Sequence, residues 1–202
     1  MKTKSLTFAI VAALLVVSVA AVSEFQIAEA KKDANGKPDL VATLTGVTDS
    51  NAKGKAMFWF DDDSNPTSIT YQIVLNKIDV NGNPGKGLDE LLTKVHIHYA
   101  PLTVHQGMHL YNILGPADDL DDGKIAGNTL SGVWDAADIV VLPPTHHSSK
   151  PLTAMNPNGN TILKNLCTEN TDVNIHTDVY PTAGAIRGII EANTDACANL
   201  GF

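Results

Sequence analysis

The stretch Ser68–Ile78, SITYQIVLNKI, carries the pattern that decides the fold. Apolar residues occupy every second position from Ile69 to Leu75, and a β-strand places such residues on one face of a sheet. Similar short runs, separated by Asn-Gly, Pro and Gly turns, occur on both sides of it, at Leu40–Gly46, Gly54–Asp61, Leu91–Tyr99, Ile125–Trp134, Asp172–Thr177 and Gly184–Glu191. Because long helices do not alternate with these runs, the pattern predicts an all-β domain, an antiparallel β-sandwich or Greek-key barrel of about seven to eight strands.

Two segments without this alternation, Ala100–Lys124 and residues 136–157, are predicted to be long loops. Long loops in a compact domain are usually functional or disordered. The acidic runs Asp61–Asn65 and Asp118–Asp122 are interpreted as solvated loops, since neither has the spacing of an EF-hand calcium loop. A short helix is predicted within Pro157–Glu169, with one apolar side formed by Ile162, Leu163 and Leu166.

Composition excludes several classes of protein. The chain has 202 residues, a net charge of −8 and a sequence pI near 5.2, whereas a nucleic-acid-binding domain usually carries a basic patch. The sequence has no nucleophile-elbow, P-loop or dinucleotide-binding motif, so it offers nothing typical of an ordinary hydrolase or nucleotide enzyme.

The N-terminus has the pattern of an export signal. Lys2 and Lys4 precede an uncharged, largely apolar stretch and then small residues suited to cleavage, which predicts a signal peptide over residues 1–30. The alternative is an uncleaved membrane anchor, since the apolar core is about as long as the shortest spanning helices. Either way, residues 31–202 are expected to form a single domain outside the cytoplasm, secreted or associated with the cell envelope. Cys167 and Cys197 are then predicted to form a disulfide.

Histidines provide the clearest functional pattern. His96 and His98 lie two residues apart in one predicted strand, and His176 has the same parity in a later one, so all three occupy the face opposite the apolar residues. If the two strands are neighbours, three imidazoles can converge to bind zinc or copper, with Asn174 or a loop Asp fixing a ring and Arg187 on the same face. The alternative is that the rings only hydrogen-bond loop backbone.

The other histidines are interpreted differently. His105 with His109, and His146 with His147, fall in the predicted loops. Solvated loop positions are the favoured interpretation for both pairs, although either could add metal ligands.

The segments that contain these histidines resemble the CHRD domain family, named for its occurrence in chordin. The matching motifs are VHIHY at Val95–Tyr99, LGP at Leu114–Pro116, DVNIHTDVYP at Asp172–Pro181 and AIRGII at Ala185–Ile190. The resemblance covers about Asp39–Glu191, with Ala100 and Ala185 replacing the family's usual Gly and Glu. It implies an extracellular all-β binding module with an unknown ligand or protein partner, without established catalytic residues.

A weaker similarity links the histidine pattern to copper/zinc superoxide dismutase. That enzyme also takes copper ligands from a strand His-x-His pair and a distant strand histidine. By this analogy His96, His98 and His176 would bind copper and Arg187 would guide an anion. The favoured hypothesis is an exported binding module that binds copper, zinc or no metal, and the alternative is a copper-dependent oxidoreductase. No nucleic-acid partner is expected, and membrane contact is expected only through the N-terminal anchor alternative.

Overall fold

The computed structural model describes residues 36–47, 49–80, 90–99, 108–115, 123–139 and 149–202. Within them the chain forms ten β-strands and two short helices. The strands are β1 Leu40–Gly46, β2 Lys53–Phe60, β3 Ile69–Asn76, β4 Leu92–Tyr99, β5 Met108–Leu114, β6 Lys124–Ala126, β7 Thr129–Trp134, β8 Thr171–Thr177, β9 Ile186–Ile189 and β10 Glu191–Ala192. The helices are α1 Ile162–Cys167 and α2 Ala196–Asn199.

All strands join one antiparallel sheet in the order β5-β4-β8-β9-β1-β2-β3-β7-β6, with β10 paired to β1. The sheet curls into a half-barrel, which confirms the predicted all-β class. The strand number exceeds the predicted seven to eight for two reasons. Strand β5 lies in a predicted loop, and the predicted strands Ile125–Trp134 and Gly184–Glu191 are each divided in two, into β6 and β7 and into β9 and β10. Three of the eight links along the main path, β4–β8, β9–β1 and β3–β7, join strands that are not consecutive in the chain. The first described strand, β1, thus pairs with the late strand β9.

One face of the sheet carries the apolar core. In β3 the residues Ile69, Tyr71, Ile73 and Leu75 are buried, as the alternation predicts. In β2 the three consecutive residues Phe58–Phe60 are all buried, so the strand is covered on both faces there. This fits the place of β2 between β1 and β3. Burial of these apolar side chains is the main favourable contribution to folding.

Two departures from the predicted elements matter for function. Part of the segment predicted to be a loop, Met108–Leu114, is instead strand β5, paired along β4. Its alternation was hidden because neighbouring residues Leu110, Tyr111 and Asn112 are all buried. The described parts of the second segment, 136–139 and 149–157, contain turns and bends, in agreement with a loop.

Helix α1 lies inside the predicted segment Pro157–Glu169. The Thr161 hydroxyl caps it by accepting a hydrogen bond from the Lys164 N–H at 3.1 Å. Ile162 and Leu166 are buried and Leu163 packs against the core, which confirms the apolar side.

The helices are joined by the predicted disulfide. Cys167, the last residue of α1, bonds Cys197 in α2, with Cα atoms 5.5 Å apart. We expect the intact, non-reduced protein to gain no mass on treatment with a thiol-alkylating reagent, and to gain two labels after reduction and unfolding. Labelling of two thiols in the native protein would contradict this pairing.

The described residues contain no helix that is long and apolar enough to cross a membrane. Residues 1–35 lie outside the described part, and so does the predicted export segment. Its cleavage or retention stays a prediction.

Candidate metal centre

Strand β4 separates the core from a second, polar interior. Val95 and Ile97 are fully buried in the core, as predicted. His96 and His98 point to the opposite face, where alternation places them. They are nevertheless only 4% and 5% exposed, so this face of the sheet is also covered. Buried polar groups on such a face need partners, because an unpaired one costs about 1–3 kcal/mol.

Strands β4 and β8 are neighbours, which was the condition for the predicted histidine cluster. The register pairs His96 with Asn174, however, and places His176 opposite Lys94. The His176 ring is thus displaced along the sheet, with its centroid 5.3 Å from that of His96.

Both ring nitrogens of His176 have protein partners. Nδ1 lies 3.2 Å from the Pro181 carbonyl oxygen, and Nε2 lies 3.1 Å from the Asn174 side-chain nitrogen. A carbonyl oxygen only accepts, so Nδ1 carries the proton and Nε2 accepts from the Asn174 amide. This arrangement matches the hydrogen-bonding alternative for His176, and its role as a metal ligand stays a prediction.

His109, rather than His176, lies next to both His96 and His98. It lies opposite His98 in β5, and its ring centroid is 4.1 Å from that of His96 and 4.4 Å from that of His98. One nitrogen from each of these three rings lies within 4.8 Å of the others. We call His96, His98 and His109 the histidine triad. The interpretation of His109 as a solvated loop residue is wrong, because it lies half-buried in a strand.

Two β-bulges explain how the triad forms. The β4–β5 register shifts between Val95 and His96 and again between Ile97 and His98, and each shift leaves an extra residue in β5. The second shift skips Leu110, so His109 and Asn112 both face the β4 histidines although they are three residues apart. Strict alternation would place them on opposite faces.

Oxygen atoms approach the outer nitrogens of two triad rings. Asn112 Oδ1 lies 3.2 Å from His109 Nδ1, and Asp172 Oδ1 lies 3.6 Å from His98 Nδ1. Neither ring nitrogen of His96 has a hydrogen-bond partner among the residues that the structure describes. His96 is therefore a buried polar side chain whose two ring nitrogens the described residues leave without a hydrogen bond.

The environment favours the neutral form of two of these imidazoles, those of His96 and His176. Burial, together with the nearby His109, His98, His176 and Lys94, lowers the pKa of His96 to about 2. Burial also lowers the pKa of His176, against the opposing effect of its hydrogen bond to Pro181. Neutral imidazole is the form that binds metal ions.

Arg187 lies opposite Asn174 in the β8–β9 pair, and its Nε is 3.2 Å from Asp172 Oδ2. Its role as an anion guide stays a prediction. His105, His146, His147 and Asp118–Asp122 lie outside the described residues.

Asn112 and Asp172 were not predicted to belong to this site, and His109 was considered only as an additional ligand from a loop. Asp172 could have been found, because it shares its parity with Asn174 and His176 in β8. His109 and Asn112 could not, because the bulges that orient them leave no signal in the residue pattern.

A family model for the CHRD domain matches residues 40–190, from the start of β1 to the residue after β9. The comparison with curated proteins found no match.

Proposed function

Because the chain belongs to the CHRD domain family, a binding-module kind of protein, we propose that it is an exported binding module that holds a zinc or copper ion at the histidine triad. The family and the disulfide support a location outside the cytoplasm, where disulfides persist. The signal-like segment over residues 1–30 supports the same location, secreted or bound to the envelope.

The observation that carries the metal proposal is the convergence of three imidazoles, two of them buried and one half-buried. Their nitrogens lie within 4.8 Å of one another, and nitrogens bound to one tetrahedral ion at ~2.0–2.1 Å lie about 3.3 Å apart. Rotations of the side chains by small angles would close that difference. The ion would also give His96 the partner that its ring lacks.

The ligand types favour zinc or copper over calcium or magnesium. Imidazole nitrogen suits zinc and copper, whereas calcium and magnesium prefer oxygen ligands. Both cysteines are joined in the disulfide and are not available as thiolate ligands.

We expect protein stripped of metal and lacking a His tag to bind one equivalent of Zn²⁺ or Cu²⁺ in calorimetric titration. The double variant His96→Ala/His109→Ala should lose at least a hundredfold in affinity, because it removes two ligands. The matched variant His176→Ala should bind like the native protein, since the His176 nitrogens are held by Asn174 and Pro181.

Two results would contradict the proposal: native binding weaker than about millimolar, or binding unchanged in the double variant. Equal losses from His176→Ala and from the double variant would return the ligand set to His96, His98 and His176. Copper in the purified protein together with catalysed redox cycling would support the alternative, a copper-dependent oxidoreductase.

A further inference from the structure

We infer that Asp172 is a positioning residue for the histidine triad, and that Arg187 restrains it by competing for the same carboxylate. This inference rests on the proposed metal site and names how that site is tuned.

The Asp172 carboxylate lies between three strands. It extends from β8 and is only 2% exposed. One oxygen, Oδ1, lies 3.6 Å from His98 Nδ1 in β4, and the other, Oδ2, lies 3.2 Å from Arg187 Nε in β9. A buried carboxylate in this position can accept a proton contact from the ligand histidine with one oxygen and pair with the guanidinium through the other.

A carboxylate beside Nδ1 determines which nitrogen of His98 binds metal. The carboxylate only accepts, so it favours the tautomer with the proton on Nδ1 and the lone pair on Nε2. It also fixes the ring and makes the ligand nitrogen more basic. Asn112 stands in the same relation to His109, with Oδ1 at 3.2 Å from Nδ1.

Arg187 acts against this role. The His98–Asp172 separation of 3.6 Å exceeds a good hydrogen bond, while the Arg187 contact is shorter. The guanidinium therefore holds the carboxylate back from His98 and places a positive charge near the site. Neutralising Arg187 would free Asp172 to approach His98 and would remove repulsion of the bound cation.

The two partners of this ion pair are thus expected to have opposite effects. Asp172→Asn should weaken Zn²⁺ binding by about 10–100-fold, as loss of the carboxylate that orients a metal-binding histidine typically does. Arg187→Gln should bind Zn²⁺ at least as tightly as the native protein, with a gain on the order of threefold. Each variant neutralises one member of the same pair, so a purely structural ion pair would make both bind more weakly.

The experiment is Zn²⁺ titration of the native chain and both variants against a competing chelator dye, with circular dichroism to show that each variant is folded. A second measurement needs no variant: long-range ¹H–¹⁵N NMR spectra of the metal-free native protein should show His98 protonated at Nδ1.

Each outcome has a distinct meaning. If the native protein binds no metal, the proposed function and this inference both fail. If it binds metal but Asp172→Asn binds equally well, or both variants lose affinity alike, only the inference fails. A His98 ring protonated at Nε2 would overturn the inference even if a variant does not fold.

Discussion

Ile97→Ala and Ile175→Ala are each expected to lower the free energy of unfolding by about 2–5 kcal/mol. Both side chains are fully buried on the core face, one in β4 and the other in the neighbouring β8. Truncation removes buried methyl and methylene groups and leaves a cavity that surrounding side chains fill only in part. Chemical denaturation of metal-free protein, followed by tryptophan fluorescence, would measure the loss.

His96→Ala provides the matched control for this prediction. His96 is the direct neighbour of Ile97 but lies on the opposite face, where its nitrogens make no hydrogen bond to described residues. Its truncation should cost much less in metal-free protein. Equal destabilisation by His96→Ala and Ile97→Ala would show that the assigned faces of β4 are wrong.

Acid should destabilise the metal-free protein over a range set by His96. The pKa of this residue is about 2 in the folded protein and 6.5 in its unperturbed state, chiefly because burial disfavours the charged ring. Below about pH 6.5 the unfolded chain binds a proton that the folded chain does not, so stability falls with pH until the folded pKa is reached. The contribution of this one group is about 1.4 kcal/mol per pH unit, or roughly 3–4 kcal/mol between pH 6.5 and 3.5.

His96→Leu isolates that contribution, because leucine fills similar space and does not titrate. Urea unfolding at several pH values, with chelator present, should give a shallower loss of stability for the variant than for the native chain. Carboxylates and other histidines titrate in both proteins and cancel in the comparison. Parallel curves for the two proteins would refute the assignment.

Much of the fold was predictable because sheet alternation is a local property. In β3 the residues Ile69, Tyr71, Ile73 and Leu75 follow period two, as do Val95 and Ile97 in β4, and each is buried where the pattern places it. Family motifs at Asp172–Pro181 and Ala185–Ile190 added the last strands, and the export pattern predicted the disulfide. What alternation does not encode is strand order, and the pairing of β4 with both β5 and β8 had to come from the structure.

The candidate site was predictable only in part. His96 and His98 could be placed on one face because they belong to a regular strand. Which histidine completes the set depends on register. Asn174 lies opposite His96 and His176 opposite Lys94, and a shift of two residues along β8 would bring His176 opposite His96. Register depends on contacts between distant parts of the chain, so the spacing of residues does not reveal it.

The bulge at Leu110 separates spacing along the chain from spacing on the sheet. It keeps His109 and Asn112 on the same face although they are three residues apart. Removing Leu110 would leave them two residues apart, and a regular strand would then hold both on that face without a bulge. Chains with this architecture can therefore differ in length by one residue at this strand and still place the same side chains beside the β4 histidines.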